Sequence, residues 1–134
     1  MTTKIQFGRI IDFQESCEQI RPRLESALSR EGFGILTEID VKATLKAKLD
    51  KDVPAQWILG ACNPPIASRA LDLNSDLGLL LPCNIVLREL DDGGARVAAI
   101  TASAQFGLSD EPELAELAEE IDLRLERVLE NLES

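Results

Sequence analysis

The segment Asp91-Asp92-Gly93-Gly94 constrains the fold of this chain more than any other. It follows the longest apolar run, Leu79–Leu90, and precedes a second apolar stretch, Arg96–Thr101. Asp-Gly between two strand-like runs is a hairpin signal, because a tight turn needs residues that tolerate positive φ. At least part of the sheet is therefore antiparallel. Elsewhere strands and helices mix without the strict alternation of a doubly wound fold. The expectation is an α+β fold with a single mixed or antiparallel sheet, helices mainly on one face, and a long C-terminal helix. At 134 residues, residues 1–134 read as a single domain with one core.

The remaining elements follow from local signals. Ile5–Phe13 reads as a first strand. Asp12 and Glu15 have capping-box spacing, so a helix is expected to begin there, with Cys17, Ile20, Leu24, Ala27 and Leu28 as its apolar stripe. Pro22 should kink that helix or restart it, and Gly32 should end it. Phe33–Asp40 reads as a second strand, followed by a short helix from about Val41 to Leu49 capped by Asp40. Trp57–Ala61 is a short apolar strand. Asn63-Pro64-Pro65 then opens a helix to about Leu73, since Asn favours the cap and Pro the first helical position. Leu79–Leu90 is expected to be a central strand, with an edge or a bulge at Pro82, which cannot donate to a ladder. Local pattern does not set the path of residues 102–108. Ser109 or Asp110 should cap the last helix, whose apolar positions Leu114, Ala118, Ile121, Leu125, Val128 and Leu132 form a continuous seam. Two covers are open for that seam: the chain's own sheet, or a second copy of the chain.

Charge and composition exclude several functions. The net charge is −10, and residues 110–134 hold ten acids against Arg124 and Arg127, which is −8 in that stretch and −2 before it. Nucleic acid is not an expected partner, because its phosphates need a basic surface. An anionic membrane surface is repelled as well, and no apolar run approaches the ~20 residues of a membrane span. The N-terminal residues lack the apolar stretch of a signal peptide, and the three cysteines are an odd number, so a cytoplasmic protein is expected. The chain contains no histidine and no tyrosine. Ser-His-Asp and Cys-His catalysis within one chain, and His-ligated metal sites, are thereby excluded.

What remains for chemistry is a pair of Cys-Asn segments, Gly60-Ala61-Cys62-Asn63-Pro64-Pro65 and Leu80-Leu81-Pro82-Cys83-Asn84. Cys62 lies one residue before a helix cap, where free N–H groups and the positive end of the helix dipole favour a thiolate. Pro64 and Pro65 remove two of those donors and weaken the effect. Cys83 follows Pro82 inside the apolar run, on the face of Leu81, Ile85 and Leu87, which reads as core. From composition and spacing alone, the favoured reading of either cysteine is a small buried hydrophobe, the commonest role of a free thiol. Two thiols do not complete a four-ligand zinc site, so any metal would be a soft ion held by Cys62 and Cys83 with further donors. No cofactor is required. Glu38 and Asp40 are weaker binding candidates, with Asp40 explained as a cap. Arg69 can point toward the Cys62 loop from the helix that begins at Pro64.

The blocks running from Glu31 to Leu49, Ile58-Leu59-Gly60-Ala61-Cys62-Asn63-Pro64-Pro65 and Gly78-Leu79-Leu80-Leu81-Pro82-Cys83-Asn84 resemble the bacterial and archaeal family called domain of unknown function 302, over roughly residues 31–100. The resemblance implies a small α+β domain that forms homodimers, with no established activity. It also implies that the two cysteine blocks, with Asn63, Asn84, Glu38 and Asp40, mark a site. The chain departs from the family pattern where Ser68 stands in place of a frequent histidine before Arg69. A second departure is the absence of the usual proline soon after the hairpin, in residues 102–108.

Two functional readings result. In the first, Cys62 is an accessible thiolate and Cys83 its resolving or co-ligating partner, with Asn63 and Asn84 as orienting amides, for redox chemistry, sulfur handling or soft-metal binding. In the second, the chain is a non-catalytic dimer that presents a groove to a small molecule or protein, with both cysteines packed inside. Whether the protein is an enzyme is left open.

Overall fold

The computed structural model describes residues 2–107, 109 and 111–133. The hairpin forms where expected. Strands β5 (Cys83–Glu89) and β6 (Ala95–Ile100) pair antiparallel. Between them Gly93 adopts φ +86°, and Gly94 N–H donates to Asp92 Oδ1 at 2.9 Å. Around this hairpin the chain completes a six-stranded sheet in the order β1-β2-β6-β5-β4-β3, antiparallel at every neighbouring pair. The fold is α+β, with a long C-terminal helix.

The first strand is in fact two. β1 (Thr3–Ile5) and β2 (Gly8–Phe13) form a tight hairpin. A Cβ at Gly8 would lie 2.6 Å from the Ala99 carbonyl oxygen, so a glycine lets β2 close on β6 there. β2 also runs past Asp12, pairing Phe13 with Ala95, which leaves Asp12 unable to cap a helix. Ser16 caps α1 (Cys17–Arg30) instead, in a capping box with Gln19. The helix continues through Pro22 without ending, and Gly32 follows it at φ +84°. The expected apolar stripe is buried.

β3 (Gly34–Asp40) passes directly into α2 (Val41–Leu49), and Asp40 caps it by accepting the Ala43 N–H at 2.9 Å. β4 (Gln56–Cys62) then leads to α3 (Pro64–Leu73). The expected strand over Leu79–Leu90 is corrected at its start. Ser75–Leu80 coils into a 3₁₀ turn, the Leu81–Pro82 peptide is cis, and the strand begins only at Cys83. Pro82 cannot donate to a ladder, so pairing starts after it. Residues 102–106 form a short helix, α4 (Ala102–Phe106).

The last helix, α5, spans Pro112–Glu133. Asp110, one of its two expected caps, lies outside the described residues. All six seam positions are buried, together with Leu117 and Leu129. They pack in this chain's own core with α1 and the sheet residues Ile11, Leu59, Ile85, Leu87 and Val97. The seam is thus covered at home. Among the described residues no helix is long and apolar enough to cross a membrane.

Candidate functional site

β4 and β5 lie side by side, and their register brings the two cysteine segments together. Ala61 sits opposite Cys83, and Cys62 is one residue further along β4, opposite Gly34 of β3. Both cysteines line one small cavity of about 20 Å³, with Phe33, Ile66, Phe106 and Ile121 among its walls. That volume is about what one water molecule occupies. All three cysteines carry free thiols.

The two thiols differ in environment. Cys83 is 4 % exposed and donates its S–H to Gln105 Oε1 at 3.3 Å. Burial above all, with charge on nearby Cys62 and Asp122 adding to it, pushes its pKa up to about 11, against the Gln105 bond, which lowers it. Cys83 is therefore a neutral thiol at physiological pH. Cys62 is half-buried at the end of β4. The third cysteine, Cys17, is buried on α1, and burial raises its pKa as well.

Gln105 is a buried polar residue that sequence reasoning missed. Its Nε2 donates to the carbonyls of Leu80 and Pro82, the latter at 3.1 Å. One side chain thus ties α4 to the 3₁₀ turn, the cis-proline loop and Cys83. No local pattern marks it, since its partners lie more than 20 residues away in sequence.

The two asparagines are separated by the sheet. Asn63 is buried and caps α3, its Oδ1 accepting the Ile66 N–H at 3.3 Å. Its Nδ2 donates to the Glu31 carbonyl at 3.2 Å, which also receives Arg124 Nη1 at 2.9 Å. Asn63 therefore locks the start of α3 to the end of α1. Asn84 is exposed and pairs with Gly60, on the pleat opposite to that of Cys83.

The charged candidates stand apart from the cysteines. Glu38 forms an ion pair with Arg21 of α1 at 2.5 Å. Asp40 is occupied as the α2 cap, opposite Trp57, five residues along β4 from Cys62 and so roughly 17 Å away. Arg69 pairs with Glu120 of α5 at 2.8 Å rather than with the Cys62 loop. Among the described residues no group of three or more Cys, Asp or Glu side chains could hold a metal ion.

A larger cavity than the one between the cysteines lies elsewhere. A cleft of about 510 Å³ opens between β2, α4 and α5. Buried Phe106, Leu114 and Ala118 form its apolar wall, with half-exposed Leu123 at the edge. Glu111, Glu119, Asp122 and Glu126 also line it, against the single cation Arg9, which pairs with Glu126. Asp122 Oδ1 accepts the Ala102 N–H at 2.6 Å, holding the first turn of α4 against α5. The sequence showed the acids of α5, but local pattern left α4, the wall opposite them, undefined.

The model of the family described as "Domain of unknown function DUF302" matches residues 10–132. The crystal structure of an uncharacterised conserved DUF302 protein from Bacillus stearothermophilus superposes with a TM-score of 0.87 at 30% identity, covering 96% of this chain and 99% of that one. Comparison with curated proteins finds no match. A family model spanning nearly the whole length and a solved relative of the same fold agree, and the chain belongs to the DUF302 family.

Proposed function

We propose that this protein is a small-molecule-binding module, that its cleft between β2, α4 and α5 is the binding site, and that Cys83 serves structure. The observation that carries this reading is the cleft itself. Its volume of about 510 Å³ falls in the ~300–1,000 Å³ range of small-ligand sites, and it combines an apolar wall with a few polar groups, as such sites do. Four carboxylates against one arginine favour an amphipathic ligand with a protonated amine. The sealing of Cys83 and its pKa near 11 argue against a resolving thiolate in the pair. Three free thiols support a reducing compartment such as the cytoplasm.

The experiment compares benzylamine with benzoate by amide chemical-shift mapping. Benzylamine should shift resonances of Ser103, Phe106 and the Leu114–Glu126 stretch in a saturable way, while benzoate does not. Equal responses to both, or shifts scattered away from the cleft, would overturn the reading.

A second reading retains Cys62 as a reactive thiol. The cavity it shares with Cys83, and its place one residue before the Asn63 cap, favour it. Alkylation by iodoacetamide at neutral pH should then proceed faster at Cys62 than at a model thiol. A rate no higher than the model's removes this reading.

A further inference from the structure

A pocket of about 400 Å³ opens between the first turns of α1 and the sheet. Cys17, Glu18, Arg21 and Pro22 line it from α1, Trp57 from β4 and Leu87 from β5. Trp57 is the chain's single tryptophan. It pairs with Leu87 and alternates with the core residues Leu59 and Ala61, so it lies on the helical face of the sheet. It is nonetheless only half-buried, and its indole N–H makes no hydrogen bond among the described residues. A tryptophan packed on the core yet open on one side offers a ligand a flat apolar surface.

The electrostatics of the pocket select the ligand. Arg21 is the one cation that lines it, and two carboxylates already hold that guanidinium, Glu25 at 2.8 Å and Glu38 at 2.5 Å. Glu18 lines the same pocket and pairs with no cation among the described residues. Glu89 stands two residues beyond Leu87 on the same pleat, unpaired likewise, and its charge reaches Cys17. Pro22 adds to the negative potential. It has no N–H to give the Glu18 carbonyl four residues back, so that oxygen lacks its helical partner. Cys17 itself stays a neutral thiol, its pKa raised by burial and by Glu89.

We infer that this pocket is a second ligand site and that it takes a flat aromatic cation, such as an N-alkylated pyridinium ring. The ring stacks on the Trp57 indole against Leu87 and Pro22, and its charge is drawn both by the indole face and by Glu18. A planar cation carries its charge within the stacked ring, which an ammonium on a flexible methylene does not. The volume falls in the ~300–1,000 Å³ range of small-ligand sites. The site is independent of the cleft between β2, α4 and α5, which contains no tryptophan.

Tryptophan fluorescence therefore reads this pocket alone. The probes are 1-methylnicotinamide, a planar cation, and nicotinate, an anion built on the same ring. The cation should quench Trp57 along a saturating curve, and nicotinate only linearly, by collision. Glu18→Gln should weaken binding of the cation about two- to fivefold. Pro22→Ala returns an N–H to the Glu18 carbonyl and removes part of a wall, and should weaken it as well. Linear quenching by both probes, or a saturable preference for nicotinate, overturns the inference. So does a cation affinity that neither variant changes while both keep the wild-type circular dichroism spectrum.

Discussion

Cys83 and Gln105 form one buried clamp. The thiol donates to Gln105 Oε1 at 3.3 Å, while the same amide donates to the carbonyls of Leu80 and Pro82. A buried amide with all these bonds made is rigid, because breaking any one strands a polar group away from water. The clamp explains why a chain segment that begins as apolar as any strand turns through a 3₁₀ coil before entering the sheet.

Gln105→Leu should therefore destabilise the fold by about 1–2 kcal/mol, since it leaves two part-buried carbonyls without their donor. Urea unfolding measures it. A loss of only a few tenths of a kcal/mol would mean that water reaches those carbonyls.

Alkaline pH should weaken the fold through Cys83. Its pKa is about 11 in the folded chain against an ordinary 9.0. A group whose pKa rises on folding contributes stability below its unfolded value and loses it as pH climbs through the folded one. The contribution of Cys83 is thus full below pH 9.0 and lost by about pH 11, on the order of 2 kcal/mol. Thermal melts should fall more steeply with pH in wild type than in Cys83→Ala. Cys17 shifts in the same direction and contributes equally to both. Parallel curves would show that Cys83 is not sealed.

Asn63 performs two tasks that substitution can separate. Asn63→Ala loses the α3 cap and the bond to Glu31 together, and should cost about 1–2 kcal/mol. Asn63→Ser keeps a capping oxygen but cannot reach the Glu31 carbonyl, and should recover about half of that. If the two variants melt alike, the cap contributes nothing.

Gly60 and Gly34 make a matched pair of strand glycines with opposite expectations. A Cβ at Gly60 would meet Thr37 Oγ1 at 2.1 Å and Pro82 Cγ at 2.6 Å. Thr37 can rotate, but the ring of Pro82 cannot move without the loop. Gly60→Ala should cost about 1–3 kcal/mol. At Gly34 nothing lies within 4 Å of the added carbon, so Gly34→Ala should be neutral or slightly stabilising. Equal effects at both positions would contradict the packing of Pro82 over β4.

Short-range chemistry carried most of the architecture. Asn63-Pro64-Pro65 opens α3, Asp40 caps α2, Asp92 and Gly93 shape the hairpin, and the α5 seam is buried at every expected position. These features were legible because each signal and its consequence lie within a few residues: a cap bonds the next turn, and a helical stripe repeats with the helix's own period. The same reasoning reached the neighbourhood of Cys62 and Cys83, and the register of β4 on β5 puts both on one cavity.

The rest was settled by partners distant in sequence. Asp12 has the spacing of a cap, yet Arg96, 84 residues away, takes its carboxylate in two hydrogen bonds. β1 and β2 separate at a glycine that makes room for Ala99. Leu79–Pro82 leaves the sheet because Gln105 of α4 holds its carbonyls. Pattern alone chose neither the cover of the α5 seam nor the walls of the cleft. Local sequence sets the dihedral and periodic preferences that create elements. Which buried polar groups find partners, and which apolar faces find cover, is decided only when the elements assemble, because desolvation has to be satisfied by the whole chain at once.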